Sequence, residues 1–167
     1  MPASGAAYDR AAQFRAEWPA VGDCDLRDAI LTRDLTLTRS APGIPCLITD
    51  GVLIDPYTGN RVTYDRGFND RAVQIDGVVA LYNAWTTGAQ NWDQATREGF
   101  ATDPLNLLAV DGLTNETKRH HDASEWIPAN PAYQCTFATT QIQVKHKYGL
   151  WVTPSEVAAL GVLLRAC

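Results

Sequence analysis

The stretch that decides the fold is "AVQIDGVVALYNAW", residues 72–85, read together with "LNLLAVDGLTNETK", residues 105–118. In the first, apolar and polar residues alternate up to Asp76. That period of two makes a half-buried strand, running on into a loop or helix. The second opens with an apolar run, 105–110, that reads as a buried strand. "DGLTN" after it reads as a loop carrying Asn115, and a helix follows. Between the strands, "NWDQATREGFATD" (91–103) reads as a helix that stops before Pro104. Two strands and a helix, with a carboxylate on the first strand and an amide just past the second, form a ββα arrangement. A carboxylate and an amide oxygen are hard ligands suited to Mg2+ or Mn2+. Hydrolysis at such a site also needs a base, for which His is the usual choice near neutral pH.

Outward from this pair the chain keeps mixing element types. Residues 8–18 and 25–37 carry apolar residues at helical spacing. "CLITDGVLIDPYTGNRVTYDRG" (46–67) changes to strand chemistry. Val52 and Ile54 alternate with other residues, as do Val62 and Tyr64, and "PYTGN" between them supplies a turn. A helix is expected over 131–147, stopped by Gly149. Another begins at "TPSE" (153–156), with Thr153 as N-cap, Pro154 at the first helical position and Glu156 closing a capping box. The expected class is α+β: a ββα core with an N-terminal β-hairpin and flanking helices. It occupies one domain over 1–167, with 1–7 a disordered tail.

Composition narrows the function classes. The net charge is −5 over 167 residues, so a global electrostatic footprint for nucleic acid is absent and any such contact is local. Basic residues gather in "KRHH" (118–121) and "KHK" (145–147), each of which is also an ordinary solvated face. No apolar run reaches the ~20 residues of a membrane span. The four cysteines, Cys24, Cys46, Cys135 and Cys167, form no CxxC pair, which argues against a thiolate zinc site. They fit two disulfides and an oxidising compartment, with free buried thiols as the alternative. Of three possible pairings, the expected one is Cys24–Cys46 with Cys135–Cys167, because an antiparallel helical hairpin brings the last two together. "MPASGAAYDR" lacks the features of a signal peptide. A secreted protein of this sequence is therefore expected to be a mature form with an added start Met.

The run "VQIDGVVALYNAW…GAQNW…REGFATDPLNLLAVDGLTNETK…DASEWIPAN" resembles the secreted actinobacterial HNH endonuclease family, related to the C-terminal nuclease domain of GmrSD-type restriction enzymes. The likeness extends to "CDLRDAILTRDL", "DPYTGNRVTYDRG" and "VKHKYGLWVTPSE", nearly the whole chain. It implies a ββα-metal (HNH) core and hydrolysis of phosphodiester bonds in DNA, or in RNA, with Mg2+ or Mn2+. Asp76 matches the metal-binding Asp. Asn115 matches the HNH asparagine, a metal ligand, and Lys118 a Lys that meets phosphate. Arg119, His120 and Lys145 join Lys118 as candidate nucleic-acid contacts. Gly77 stands where the family has its general-base His, and His120 or His121 is a candidate substitute.

Loss of a positioned base costs roughly 10²–10⁴-fold in rate. Asp76 and Asn115 are kept, so the pattern is that of a base removed from an otherwise intact site, and a catalytically impaired nuclease is expected. The competing reading is a non-catalytic module on the same scaffold that binds nucleic acid or a protein. Taken singly, Asp76 is also a turn-capping carboxylate, Asn115 a loop residue and Gly77 a strand-end glycine.

Overall fold

The computed structural model describes residues 8–14, 17–165 and 167. The expected tail over 1–7 lies outside the described residues, as do positions 15 and 16 of the expected helix over 8–18. What is described of that helix is one turn, α1 (Arg10–Gln13), capped by the Asp9 carboxylate on the Ala12 N–H at 3.1 Å. A minimal hairpin follows, β1 (Ala20–Val21) and β2 (Cys24–Asp25), turning through Gly22 at φ +62°. Asp25 then caps α2 (Leu26–Asp34) by accepting from the Asp28 N–H at 2.9 Å.

The helix expected over 25–37 ends earlier. Leu35 is extended, and Thr36–Ala41 is a strand, β3. The β-branched Thr36 and Thr38 explain the change, since they lose less in a pleated backbone than in a helix. β3 pairs with β4 (Ile44–Ile54), which pairs with β5 (Arg61–Asp65), giving a three-stranded antiparallel sheet of order β3-β4-β5. The expected hairpin is its β4–β5 half, with Val52 opposite Thr63 and Ile54 opposite Arg61.

β6 (Val73–Gly77) pairs antiparallel with β7 (Leu107–Asp111), Val73 opposite Asp111 and Gly77 opposite Leu107. Between them lie α3 (Leu81–Thr86), a 3-10 turn and α4 (Gln94–Ala101), which Asp93 caps. "DGLTN" is not a loop. Asp111, the last residue of β7, accepts from both the N–H and the hydroxyl of Thr114 at 2.8 Å, so the strand passes straight into α5 (Gly112–Lys118). Gly112 makes this junction possible. A β-carbon there would lie 2.2 Å from the Arg71 carbonyl oxygen, a distance backbone cannot accommodate.

α6 (Pro131–Tyr148) starts on the Asn130 cap and stops at Gly149, whose φ of +64° suits a residue without a β-carbon. Thr153 caps α7 (Pro154–Leu164), accepting from the Glu156 N–H at 3.1 Å. The Glu156 carboxylate is turned inward to the ammonium of Lys145.

The architecture is mixed α+β, and alternation along β7 organises it. Leu107 and Ala109 pack with Ile30, Leu31, Leu53 and Tyr64, on the side of α2 and the three-stranded sheet. Val110 packs with Tyr57, Phe137 and Leu160, on the side of α6 and α7. A third cluster joins Phe14, Val79, Trp85, Phe100 and Val144. Two disulfides, Cys24–Cys46 and Cys135–Cys167, tie β2 to β4 and the first turn of α6 to the chain end. No helix among the described residues is long and apolar enough to cross a membrane.

The second bridge links residues 32 apart. Replacing Cys135 and Cys167 with Ser is expected to lower the unfolding free energy by ~3–4 kcal/mol through loop entropy restored to the unfolded chain. Urea denaturation with the Cys24–Cys46 bridge intact measures it. A loss below ~1 kcal/mol would show that the packing of α6 on α7 does not rely on this bridge.

Candidate functional site

Asp76 stands one residue before the end of β6 and is 6% exposed. Strand alternation turns it to the same face as Gln74, opposite to Val73 and Ile75. Lys118, the last residue of α5, is wholly buried. Its Nζ lies 2.8 Å from Asp76 Oδ2 and 3.1 Å from Oδ1, and it donates to the Gly77 carbonyl at 2.9 Å. Tyr57, from the turn between β4 and β5, donates its hydroxyl to Asp76 Oδ2 at 2.6 Å. The carboxylate is therefore held by donors from two other parts of the chain. Burial, and then the charge of Asp76, push the Tyr57 phenol well above its ordinary range, so it stays a neutral donor.

Beside this buried pair opens a cleft of about 530 Å3, lined by Gln74, Asp76, Gly77 and Asn115, with Arg10, Arg119 and His120 contributing positive or titratable groups. Asn115 and Lys118 sit three residues apart on α5 and so share a face. Asn115 donates its Nδ2 to Gln74 Oε1 at 2.8 Å, which leaves its Oδ1 without a donor among the described residues. Arg119 leaves the helix at φ +53°, a strained conformation for a non-glycine residue, while its N–H closes the helix on the Asn115 carbonyl at 3.0 Å. The His120 ring meets Tyr82 edge-on, with centroids 4.9 Å apart. Asn106, fully buried, clamps the backbone after Gly77. Its Oδ1 accepts from the Val79 N–H at 2.8 Å and its Nδ2 donates to the Val79 carbonyl at 3.0 Å.

Asp76, Gly77, Asn115, Arg119 and His120 thus meet at one cleft. Lys118 touches Asp76 from beneath and does not line the cleft; His121 does not line it either. Lys145 is elsewhere. The helical period puts it with Gln141 and Val144 on the buried face of α6, where its ammonium lies 2.5 Å from Glu156 Oε1 in a charge contact that lacks hydrogen-bond geometry.

Two residues of the site escape a reading of the sequence. Tyr57 is hidden in the turn signal "PYTGN", where the one clue is a large aromatic among turn residues. Asn106 is hidden in the apolar run of a strand.

Among the described residues, no group of three or more His, Cys, Asp or Glu side chains could hold a metal ion. The cleft does offer two hard oxygens, the Asp76 carboxylate and Asn115 Oδ1. This donor set suits Mg2+ or Mn2+, which take one or two carboxylates and complete their shell with water and substrate phosphate.

Comparison with known proteins follows the same residues. Residues 25–161 match the family described as "GmrSD restriction endonucleases, C-terminal domain". A protein of Arthroderma benhamiae named "Uncharacterized secreted protein" is 36% identical over 148 residues, covering 87% of this chain and 69% of that protein. No solved structure matches.

Replacing Tyr57 with Phe removes a hydrogen bond to a buried carboxylate and leaves the ring packing in place. The expected loss is ~1.5–3 kcal/mol of unfolding free energy, measured by urea denaturation. An unchanged midpoint would mean that the hydroxyl adds nothing to what Lys118 already supplies to Asp76.

Proposed function

The chain belongs to the family of GmrSD restriction endonuclease C-terminal domains, a nuclease family, and from that membership we propose a secreted, metal-dependent HNH-type endonuclease that hydrolyses phosphodiester bonds of DNA and is weakened by the absence of a base at position 77. The observation that carries this reading is the cleft where Asp76, Gly77 and Asn115 meet. In it, β6, β7 and α5 are the ββα-metal core of a single nuclease unit. The match to a relative named as secreted and the two disulfides support an extracellular setting.

Each residue has a proposed part. Asp76 and Asn115 hold Mg2+ or Mn2+. The ion supplies Lewis-acid polarisation of a phosphoryl oxygen or a water. Tyr57 orients the carboxylate toward the cleft, and Lys118 balances its charge. Arg10, Arg119 and His120 gather phosphate locally, as a chain of net charge −5 requires. Gly77 leaves open the place from which a histidine would take a proton from water.

The backbone angles at position 77 do not bar that histidine, since they lie outside the left-handed region that demands glycine. A β-carbon there would meet the Val79 carbonyl oxygen at 3.1 Å and Asn106 Nδ2 at 3.2 Å, so the neighbours must give by a few tenths of an ångström.

Cleavage of plasmid DNA and of RNA is to be compared for the protein as it stands, for Gly77→His, and for Gly77→His with Asn115→Ala, each with Mg2+ or Mn2+. Gly77→His is expected to raise the rate by roughly 10²–10⁴-fold, and the added Asn115→Ala to abolish the gain. A folded Gly77→His protein inert on both substrates would overturn the reading. It would favour instead a binding module that uses the same cleft cations, recognised by salt-dependent affinity for DNA.

A further inference from the structure

The arrangement of charges under the cleft goes one step past the proposed nuclease. We infer that Lys118 is the resting counter-cation of Asp76 and competes with the divalent metal for its carboxylate, so that metal entry requires the ammonium to leave. This rests on the reading of Asp76 and Asn115 as metal ligands.

The two expected ligands are not equally ready. Asn115 faces the cleft with Oδ1 free of donors among the described residues. Asp76 has both oxygens engaged: Lys118 Nζ is within 3.1 Å of each, and Tyr57 adds a third bond on Oδ2. The two donors differ in what they do to a second cation. A phenol is neutral and donates one hydrogen bond, so it orients the carboxylate without cancelling its charge. An ammonium cancels that charge and repels any further cation brought to the same oxygens, most strongly where water is excluded.

Lys118 is also held in place rather than resting there by chance. Its Nζ donates a second hydrogen bond to the Gly77 carbonyl, and its side chain is out of solvent along its whole length. A lysine that served only as a loose surface charge would not be so enclosed. The site is thus charge-balanced before metal arrives, and each metal ion bound displaces one lysine contact.

Mn2+ binding by titration calorimetry tests this on the full chain. Lys118→Met keeps the apolar length of the side chain and removes the charge. It is expected to bind Mn2+ at least about tenfold more tightly than the unchanged protein, a difference of ~1.4 kcal/mol. Adding Asp76→Asn to Lys118→Met is expected to abolish the binding, which places the gain at Asp76. Equal affinity with and without Lys118 overturns the competition while leaving the metal reading intact. No binding in any variant overturns both.

Lys118→Met strands a buried carboxylate and can fail to fold, so a second measurement uses the unchanged protein. The 15N-resolved ammonium signal of Lys118, protected by burial and two hydrogen bonds, is expected to vanish as Mg2+ saturates binding. Persistence of that signal at saturation overturns the inference.

Discussion

The contact on which the site depends is the ion pair between Asp76 and Lys118. Neither group is in water, and an isolated charge in such a place is costly. The pair is tolerable only because the geometry is complete: Lys118 reaches both carboxylate oxygens and the Gly77 carbonyl, and Tyr57 completes Oδ2. Meeting that requirement fixes much else. α5 must start immediately after β7 for its last residue to lie over the end of β6, hence the Asp111 cap and the close approach at Gly112. The β4–β5 turn must come near enough to deliver Tyr57. Removing one member of such a pair typically costs ~3–5 kcal/mol, whereas replacing both with apolar groups can cost nothing. Retaining the pair is therefore poorly explained by stability alone.

A second buried pair, Lys145 with Glu156, sharpens the point. It also joins two elements, α6 and α7, at the opposite end of that helical pair from the Cys135–Cys167 disulfide. Burial pushes the Glu156 carboxyl up, and Lys145 pulls it back only in part. Its contact is one charge against another with no bond to a backbone carbonyl, and neither residue lines the cleft. Asp76 and Lys118 differ in each respect. Lys118 donates to Asp76 Oδ1 and to the Gly77 carbonyl, Tyr57 donates to Asp76 Oδ2, and the carboxylate stands at a strand end bordering an open cleft. Two pairs of the same chemistry are distinguished by what lies next to them.

Much of this arrangement is legible in the chain and some of it is not. Alternation around Asp76 and the apolar run after Pro104 give the two central strands, and helical geometry gives the Cys135–Cys167 pairing. These signals are local, or follow from one simple packing step. β3 is hidden because Leu35 continues the helical spacing of Leu31, although the alternation and β-branching of "LTLT" (35–38) favour a strand. α5 is hidden because Asp111, Gly112 and Asn115 within five residues read as turn residues, although here the Asp is a helix cap. The burial of Lys118 and Lys145 is illegible for a different reason. Whether a lysine is solvated depends on which carboxylate the fold brings to it, and those carboxylates are 42 and 11 residues away. The same holds for Tyr57, whose role is defined by a partner 19 residues on in another strand.

Gly77 shows how sequence and structure divide the work. In the sequence it is a strand-end glycine, and only the resemblance to related nucleases suggests that a histidine is missing. The structure adds whether the omission is imposed. Gly22, Gly43, Gly59, Gly88 and Gly149 hold backbone conformations that L side chains rarely adopt, and Gly112 is crowded by a carbonyl. Gly77 is not in the first group and is far less crowded than Gly112. Its backbone is that of an ordinary strand end, and the nearest obstacles to a β-carbon, the Val79 carbonyl and the Asn106 amide, stand at 3.1 and 3.2 Å. Both belong to the same clamp, in which the Asn106 side chain holds Val79 by two hydrogen bonds. A side chain at 77 therefore presses on the Val79 carbonyl and the Asn106 amide together rather than on the strand pairing of β6 with β7. The backbone angles at 77 do not demand glycine, and it is the Asn106–Val79 clamp that sets how readily a side chain is admitted there.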